Sequence, residues 1–133
     1  MMQKMANKKA LEGYGRNAVE SEVNFASPHR IIQMLMEGAL GKIASAKGCI
    51  QRGDSAEKVR QITWGMSIIN GLRSSLDHQQ GGDIAANLDS LYEYMGRRLQ
   101  ESSINNDVTA LDEVVTLLTE IKSGWDEIPS EFH

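Results

Sequence analysis

Apolar residues recur along most of this chain at alternating steps of three and four, the spacing that gathers them on one side of an α-helix. A first run, Ile32, Leu35, Ala39, Ile43, Ala46 and Ile50, follows Ser27 and Pro28. The serine can accept from the free N–H groups of a first turn, and proline at the first helical position loses nothing by lacking its own. QRGD closes this run at about 51–54. A second run, Val59, Ile62, Met66, Ile69, Leu72 and Leu76, follows Asp54, with Glu57 at capping-box spacing. HQQGG interrupts it at 77–82. A third run from near Asp83 presents Ile84, Leu88, Leu91, Met95 and Leu99. The fourth, after Asn105 and Asn106, presents Leu111, Val114, Leu118, Ile121 and Trp125. No segment alternates with the period of a strand.

Such stripes must bury against one another, and connections as short as those at 51–54, 77–82 and 102–106 make neighbours antiparallel. The pattern predicts an all-α protein: an antiparallel up-down four-helix bundle over residues 27–128, with a mobile or short-helical N-terminal arm at 1–26 and a tail at 129–133. The helices should run roughly 18 to 24 residues, or about 27 to 36 Å at 1.5 Å per residue.

Length and cysteine usage narrow the class. A chain of 133 residues is most simply one domain, and it can bury roughly two-thirds of the surface its unfolded form exposes, so no cofactor or disulfide is needed for folding. Cys49 is the single cysteine, which excludes an internal disulfide framework and fits a reducing compartment. No signal peptide or run of ~20 apolar residues occurs, so the expected location is the cytoplasm, without membrane insertion. Residues 1–16 carry Lys4, Lys8, Lys9 and Arg16 against Glu12, a balance of +3 that leaves the remainder at −7 for a net charge of −4. An acidic body with a short basic arm argues against nucleic acid as a ligand, since phosphate binding needs a clustered basic face.

The candidate chemistry is thin. A di-metal bundle needs inward carboxylates and Glu-x-x-His pairs, and neither is present in the stripes. Haem ligation needs an interior histidine, whereas His29 is expected on the surface of a first turn, His78 in a loop and His133 at the terminus. No metal or cofactor site is expected. Gly81 and Gly82 could in principle cradle a phosphate, but Asp83 would occupy the helix start and no strand precedes them, so they read as the turn that ends one helix and reverses into the next.

Small and apolar residues outside the stripes remain to be explained. Trp64, Ile68, Gly71 and Ser75 fall on a strip beside the second stripe and should be partly exposed. Met34, Gly38, Gly41, Ser45 and Gly48 recur on the first helix opposite its stripe, although each glycine costs roughly 1 kcal/mol of helix stability relative to alanine. A helix surface without side chains is a channel against which another backbone can lie, so the two strips suggest a groove for an amphipathic helix. Two occupants fit: a partner, or a fifth helix from residues 1–26. A histidine phosphotransfer or scaffold bundle is the alternative class, but HRIIQ lacks the lysine and glycine that usually follow a phosphorylated histidine.

The run LRSSLDHQQGGDIAANLDSLYEYMGRRLQESSINND, Leu72 to Asp107, resembles the most recognisable segment of the FliS family of flagellar secretion chaperones. ASPHRIIQMLMEGAL resembles that family's first long helix and Trp125 fits its end, so the likeness covers about residues 14–128. Met36 stands where the family commonly has tyrosine, and the basic extension before Tyr14 is longer than usual. The resemblance implies a non-enzymatic bundle without cofactors that binds the disordered C-terminal segment of flagellin, prevents premature polymerisation and delivers it to the flagellar type III export gate. It also implies that Met34, Gly38, Gly41, Trp64, Ile68, Gly71, Tyr92 and Tyr94 line the client groove, with Tyr14 in an arm that covers it when empty.

Overall fold

A computed structural model describes residues 26–133. Four helices dominate it: α1 Pro28–Arg52, α2 Ser55–Ser74, α3 His78–Asn105 and α4 Val108–Asp126, followed by a single 3₁₀ turn at Ser130–Phe132. Each long helix packs on two neighbours, closing the ring α1–α2–α3–α4, with α1–α2 the most extensive pairing. No strand occurs among the described residues.

The starts of the helices follow from their caps. Ser27 Oγ accepts from the Arg30 N–H at 3.1 Å ahead of Pro28, and Asp54 Oδ1 accepts from the Glu57 N–H at 3.2 Å. Asp107 caps α4 through the Ala110 N–H at 3.1 Å. Gly53 stops α1 in the left-handed region (φ 74°), where a side chain would be strained, and Asn106 ends α3 in the same way (φ 54°).

The double glycine behaves differently from the expected reversal. α2 already ends at Ser74, and Asp77 opens α3 by accepting from the N–H groups of Gln79 and Gln80 at 3.1 and 3.0 Å. Gly82 (φ 49°, ψ −125°) then kinks α3 between its first turn and its main body. The capping carboxylate thus decides the start, and the glycines provide a bend inside the element. Gly81 is required for a packing reason, because a Cβ there would lie 2.8 Å from that of Ala85.

The core lies inside the ring: Met36, Ala39, Ile43, Ala46, Ile62, Ile69, Leu72, Tyr92, Met95, Leu99, Leu111, Val114 and Leu118 form one buried cluster. Three expectations fail here. Val59 and Ile84, assigned to the stripes, are 48% and 71% exposed. In α2 the core position of the first turns belongs instead to Lys58, whose stem is buried and whose Nζ donates to Asn106 Oδ1 at 2.8 Å; in α3 it belongs to Ala85. His29 is also buried, stacked between Trp125 (centroids 4.7 Å apart) and His133 (3.6 Å), while its carbonyl accepts from Trp125 Nε1 at 3.0 Å. The C-terminal turn folds back over the start of α1 and covers a histidine that its first-turn position alone would have left outside.

These contacts set a pH dependence. Burial first, then the nearby His133, holds the His29 imidazole below its ordinary value, and its Nε2 has no hydrogen-bond partner. The unfolded chain therefore takes up that proton first, and stability falls as pH drops below about 6.5. Hydrogen bonds from Arg98 and Tyr94 hold Glu113 low, as Arg73 does for Asp89 and Lys122 for Asp126. Their contribution is full above the unfolded carboxylate range, near pH 4, and is lost as pH falls through the lower folded values. A melting-temperature profile should show both declines, with His29→Phe removing the upper one and Glu113→Gln weakening the lower one. An unchanged profile for His29→Phe would mean that the upper limb has another source.

Candidate functional site

The four seams between neighbouring helices differ in chemistry. Polar contacts bind α1 to α4: Gln33 Nε2 donates to Asp126 Oδ1 at 2.8 Å and Lys47 Nζ to Asp112 Oδ1 at 3.0 Å. Arg73 binds α2 to α3 through both oxygens of Asp89, at 2.6 and 3.2 Å. Across α3–α4, Glu113 accepts from Arg98 Nε at 2.7 Å and from the Tyr94 hydroxyl at 2.9 Å. The outer α1–α2 seam instead presents glycine, an aromatic ring and an aliphatic side chain.

Glycines of both helices line this seam. Gly65 is buried on α2, and a Cβ there would meet Lys42 Cβ at 3.7 Å and Ile43 Cγ1 at 3.8 Å. Opposite it, a Cβ on Gly38 would lie 3.5 Å from Ile68 Cδ1. A Cβ would fit at either place at ordinary van der Waals distance, so the glycines leave bare backbone along the seam rather than being required by the approach of the helices. Trp64 stands in the seam 51% exposed, with Lys42 Nζ 3.6 Å from the centre of its ring. Gly41 and Gly71 are exposed, and a Cβ on either would meet nothing within 4 Å. Toward the far end, Ser45, Gly48, Arg52, Glu57 and Gln61 border an open hollow of about 330 Å³. Gln61 Oε1 is buried there without a hydrogen-bond partner.

The structure brings Gly38 against Ile68, with Trp64 one turn from Ile68; Gly41 and Gly71 are exposed in open space, and half-buried Met34 lies two turns before Gly41. Of the small residues of α1, Gly38 faces α2, whereas Gly41 and Ser45 are exposed. Ile68 is half-buried against the core rather than free on the surface. Two expected groove residues belong elsewhere. Tyr92 is 3% exposed within the core, and burial raises its hydroxyl pKa. Tyr94 is engaged at the α3–α4 seam, where the bond to Glu113 raises its hydroxyl pKa. Adjacent aromatics on a helix point about 100° apart per residue, so a tyrosine pair two positions apart cannot share one face. Tyr14 lies outside the described residues.

Lys42, Gln61 and Arg52 were not singled out from the sequence, although Lys42 follows Gly41 directly and could have been placed on the strip by helical phase. No group of three or more His, Cys, Asp or Glu side chains is placed to hold a metal among the described residues, and no described helix is long and apolar enough to cross a membrane.

Comparison with known proteins gives a consistent set of relatives. The family model described as "Flagellar protein FliS" matches residues 10–131. The chain is 48% identical over 120 residues to the flagellar secretion chaperone FliSB of Pseudomonas aeruginosa, covering 90% of this chain and 95% of that one. It is 41% identical over 124 residues to the flagellar secretion chaperone FliS of Vibrio cholerae, with 93% and 91% covered. For the Salmonella typhimurium flagellar secretion chaperone FliS the identity is 40% over 119 residues, with 89% and 88% covered.

Proposed function

The chain belongs to the FliS family, and from that premise we propose that it is a cytoplasmic export chaperone whose α1–α2 seam holds an amphipathic helix from flagellin's C-terminal segment. The observation that carries this reading is the half-exposed Trp64 on the one seam of the ring that no ion pair crosses among the described residues. A free amphipathic helix needs somewhere to bury its stripe, and a backbone-lined channel with an aromatic anchor offers it. Held there, the segment cannot pack against its neighbours in a growing filament, and the complex can be presented to the export gate. No bond is made or broken. Burying the exposed part of Trp64 contributes on the order of 1–2 kcal/mol, enough to matter without preventing release.

We further place residues 1–26, with Tyr14, over the empty seam as a displaceable cover. One titration series tests the reading. Full-length flagellin should bind, flagellin lacking its C-terminal segment should not, and removal of residues 1–20 should tighten binding, about thirtyfold for a cover worth ~2 kcal/mol. Equal binding of intact and truncated flagellin would place the contact elsewhere on the client. Unchanged affinity after removal of residues 1–20 would reduce the arm to a plain tail.

A further inference from the structure

Charge along the same seam is distributed unlike charge anywhere else among the described residues. Arg30, Arg60, Arg73, Arg97, Arg98, Lys47 and Lys122 each meet a carboxylate within 4 Å, and Lys58 donates to Asn106. Lys42 and Arg52 do not. Lys42 rests on the Trp64 ring at 3.6 Å, and Arg52 reaches only the Cys49 sulfur, at 3.4 Å. Both stand on the flank of α1 that borders α2, ten residues apart, which is about 15 Å along a helix. Glu57, which shares the hollow with Arg52, is already engaged by Arg60 at 3.6 Å and Gln61 at 2.7 Å. Among the described residues only Lys42, Arg52 and Lys58, which Asn106 satisfies, lack an anion; Lys42 stands at the Trp64 end of the apolar stretch and Arg52 ten residues further on, at the hollow.

We propose that these two cations read the client's charge pattern: the helix bound in the seam carries one carboxylate opposite Lys42 and a second opposite Arg52, spaced about ten residues apart along its own axis. The inference rests on the reading of the seam as the flagellin site and adds its specificity. An ammonium lying on a tryptophan face keeps its charge available, because the ring neutralises nothing. When the client's apolar side covers Trp64, water leaves, and an anion beside Lys42 offsets the lost hydration. A client helix with neutral or basic residues at those positions strands two cations at the edge of a drying surface and is rejected. Pairs at such a rim contribute to association rate and selectivity more than to raw affinity.

The test is a charge-reversal cycle between the full chain and a flagellin C-terminal segment, titrated at low salt. Lys42→Glu should weaken binding by roughly tenfold, from a lost attraction and a new repulsion, with unchanged melting of the free protein. Acidic residues of the segment are then reversed to lysine one at a time. One reversal should restore affinity to Lys42→Glu while weakening the wild type, and a reversal about ten residues away should do the same for Arg52→Glu. Undiminished binding by Lys42→Glu, absence of any rescuing position, or rescuing positions adjacent to one another would overturn the proposal while leaving the seam as the site. Failure of the wild-type chain to bind the segment at all would remove the underlying reading and this one with it. If Lys42→Glu instead lowers the melting temperature of the free protein and Glu12→Lys restores it, the cations serve the chain's own first residues, which also overturns the proposal.

Discussion

Ile69→Asp should leave the protein unfolded, or melting tens of degrees early, whereas Ile68→Asp, one position away, should give a folded protein that has lost its client. Ile69 is 1% exposed inside the cluster that all four helices share. A carboxylate there lies in an apolar cluster and must either lose its hydration or take up a proton, at a cost of several kcal/mol. Against a total stability of about 5–15 kcal/mol, that is most of what a chain of this size has. Ile68 lies a turn's fraction away, half-buried, with its Cδ1 at the Gly38 backbone. Aspartate there can turn toward water, so the fold should survive with a loss of about 1–2 kcal/mol from the forfeited contact. Bound client would have to bury the same charge, so affinity should fall steeply. Helical content followed on heating, beside retention of flagellin's C-terminal segment, separates the two outcomes. An Ile69→Asp protein that melts normally would show that the phase of α2 is wrong.

That phase was legible in the sequence because apolar periodicity is redundant: Ile62, Ile69 and Leu72 repeat the same face, and no single misplaced residue moves it. Where the redundancy ran out, so did the reading. Val59 stands in the first turns of α2 and Ile84 just after the Gly82 kink, where few repeats fix the phase, and the structure gives their places to Lys58 and Ala85. A lysine whose stem is buried and whose amine finds Asn106 looks polar in a sequence and apolar in a core. His29 went wrong for a different reason. Its burial depends on Trp125 and His133, about a hundred residues away, and nothing local announces them. Asp77 shows how one cap can outweigh a conspicuous pair of glycines, since the hydrogen bonds it accepts start α3 four residues before Gly82 bends it.

The candidate site was half legible. Its glycines, Trp64 and Ile68 were visible as residues that no core needed, but the sequence placed the strips on two separate helices without saying that they meet. Their union depends on how α1 and α2 face one another, with Gly65 turned toward Lys42 and Ile43. Tyr92 and Tyr94 entered through family likeness alone, and packing assigns them to the core and to the Glu113 network. Aromatic residues near a partner surface are not thereby part of it.

If the open channel at Gly41 is where a client backbone lies, filling it should separate stability from binding in a direction that ordinary damage cannot imitate. Gly41→Leu adds a side chain at an exposed position where a Cβ meets nothing within 4 Å, so no clash opposes it. Replacing a mid-helix glycine by a strong helix former should stabilise the free protein by about 0.8–1 kcal/mol, or several degrees for a domain of this size. The same side chain would stand where the client's backbone must approach, holding it off by the width of an isobutyl group and costing at least ~1.4 kcal/mol of contact, a tenfold loss of affinity. Most damaging substitutions lower both quantities together, because they act through the fold. The decisive measurement is therefore the dissociation constant of flagellin's C-terminal segment for wild type and Gly41→Leu, taken beside their melting temperatures. A variant that melts higher and binds at least tenfold more weakly is the expected result; a variant that melts higher and binds with unchanged affinity would contradict the assignment of the α1–α2 seam as the client site.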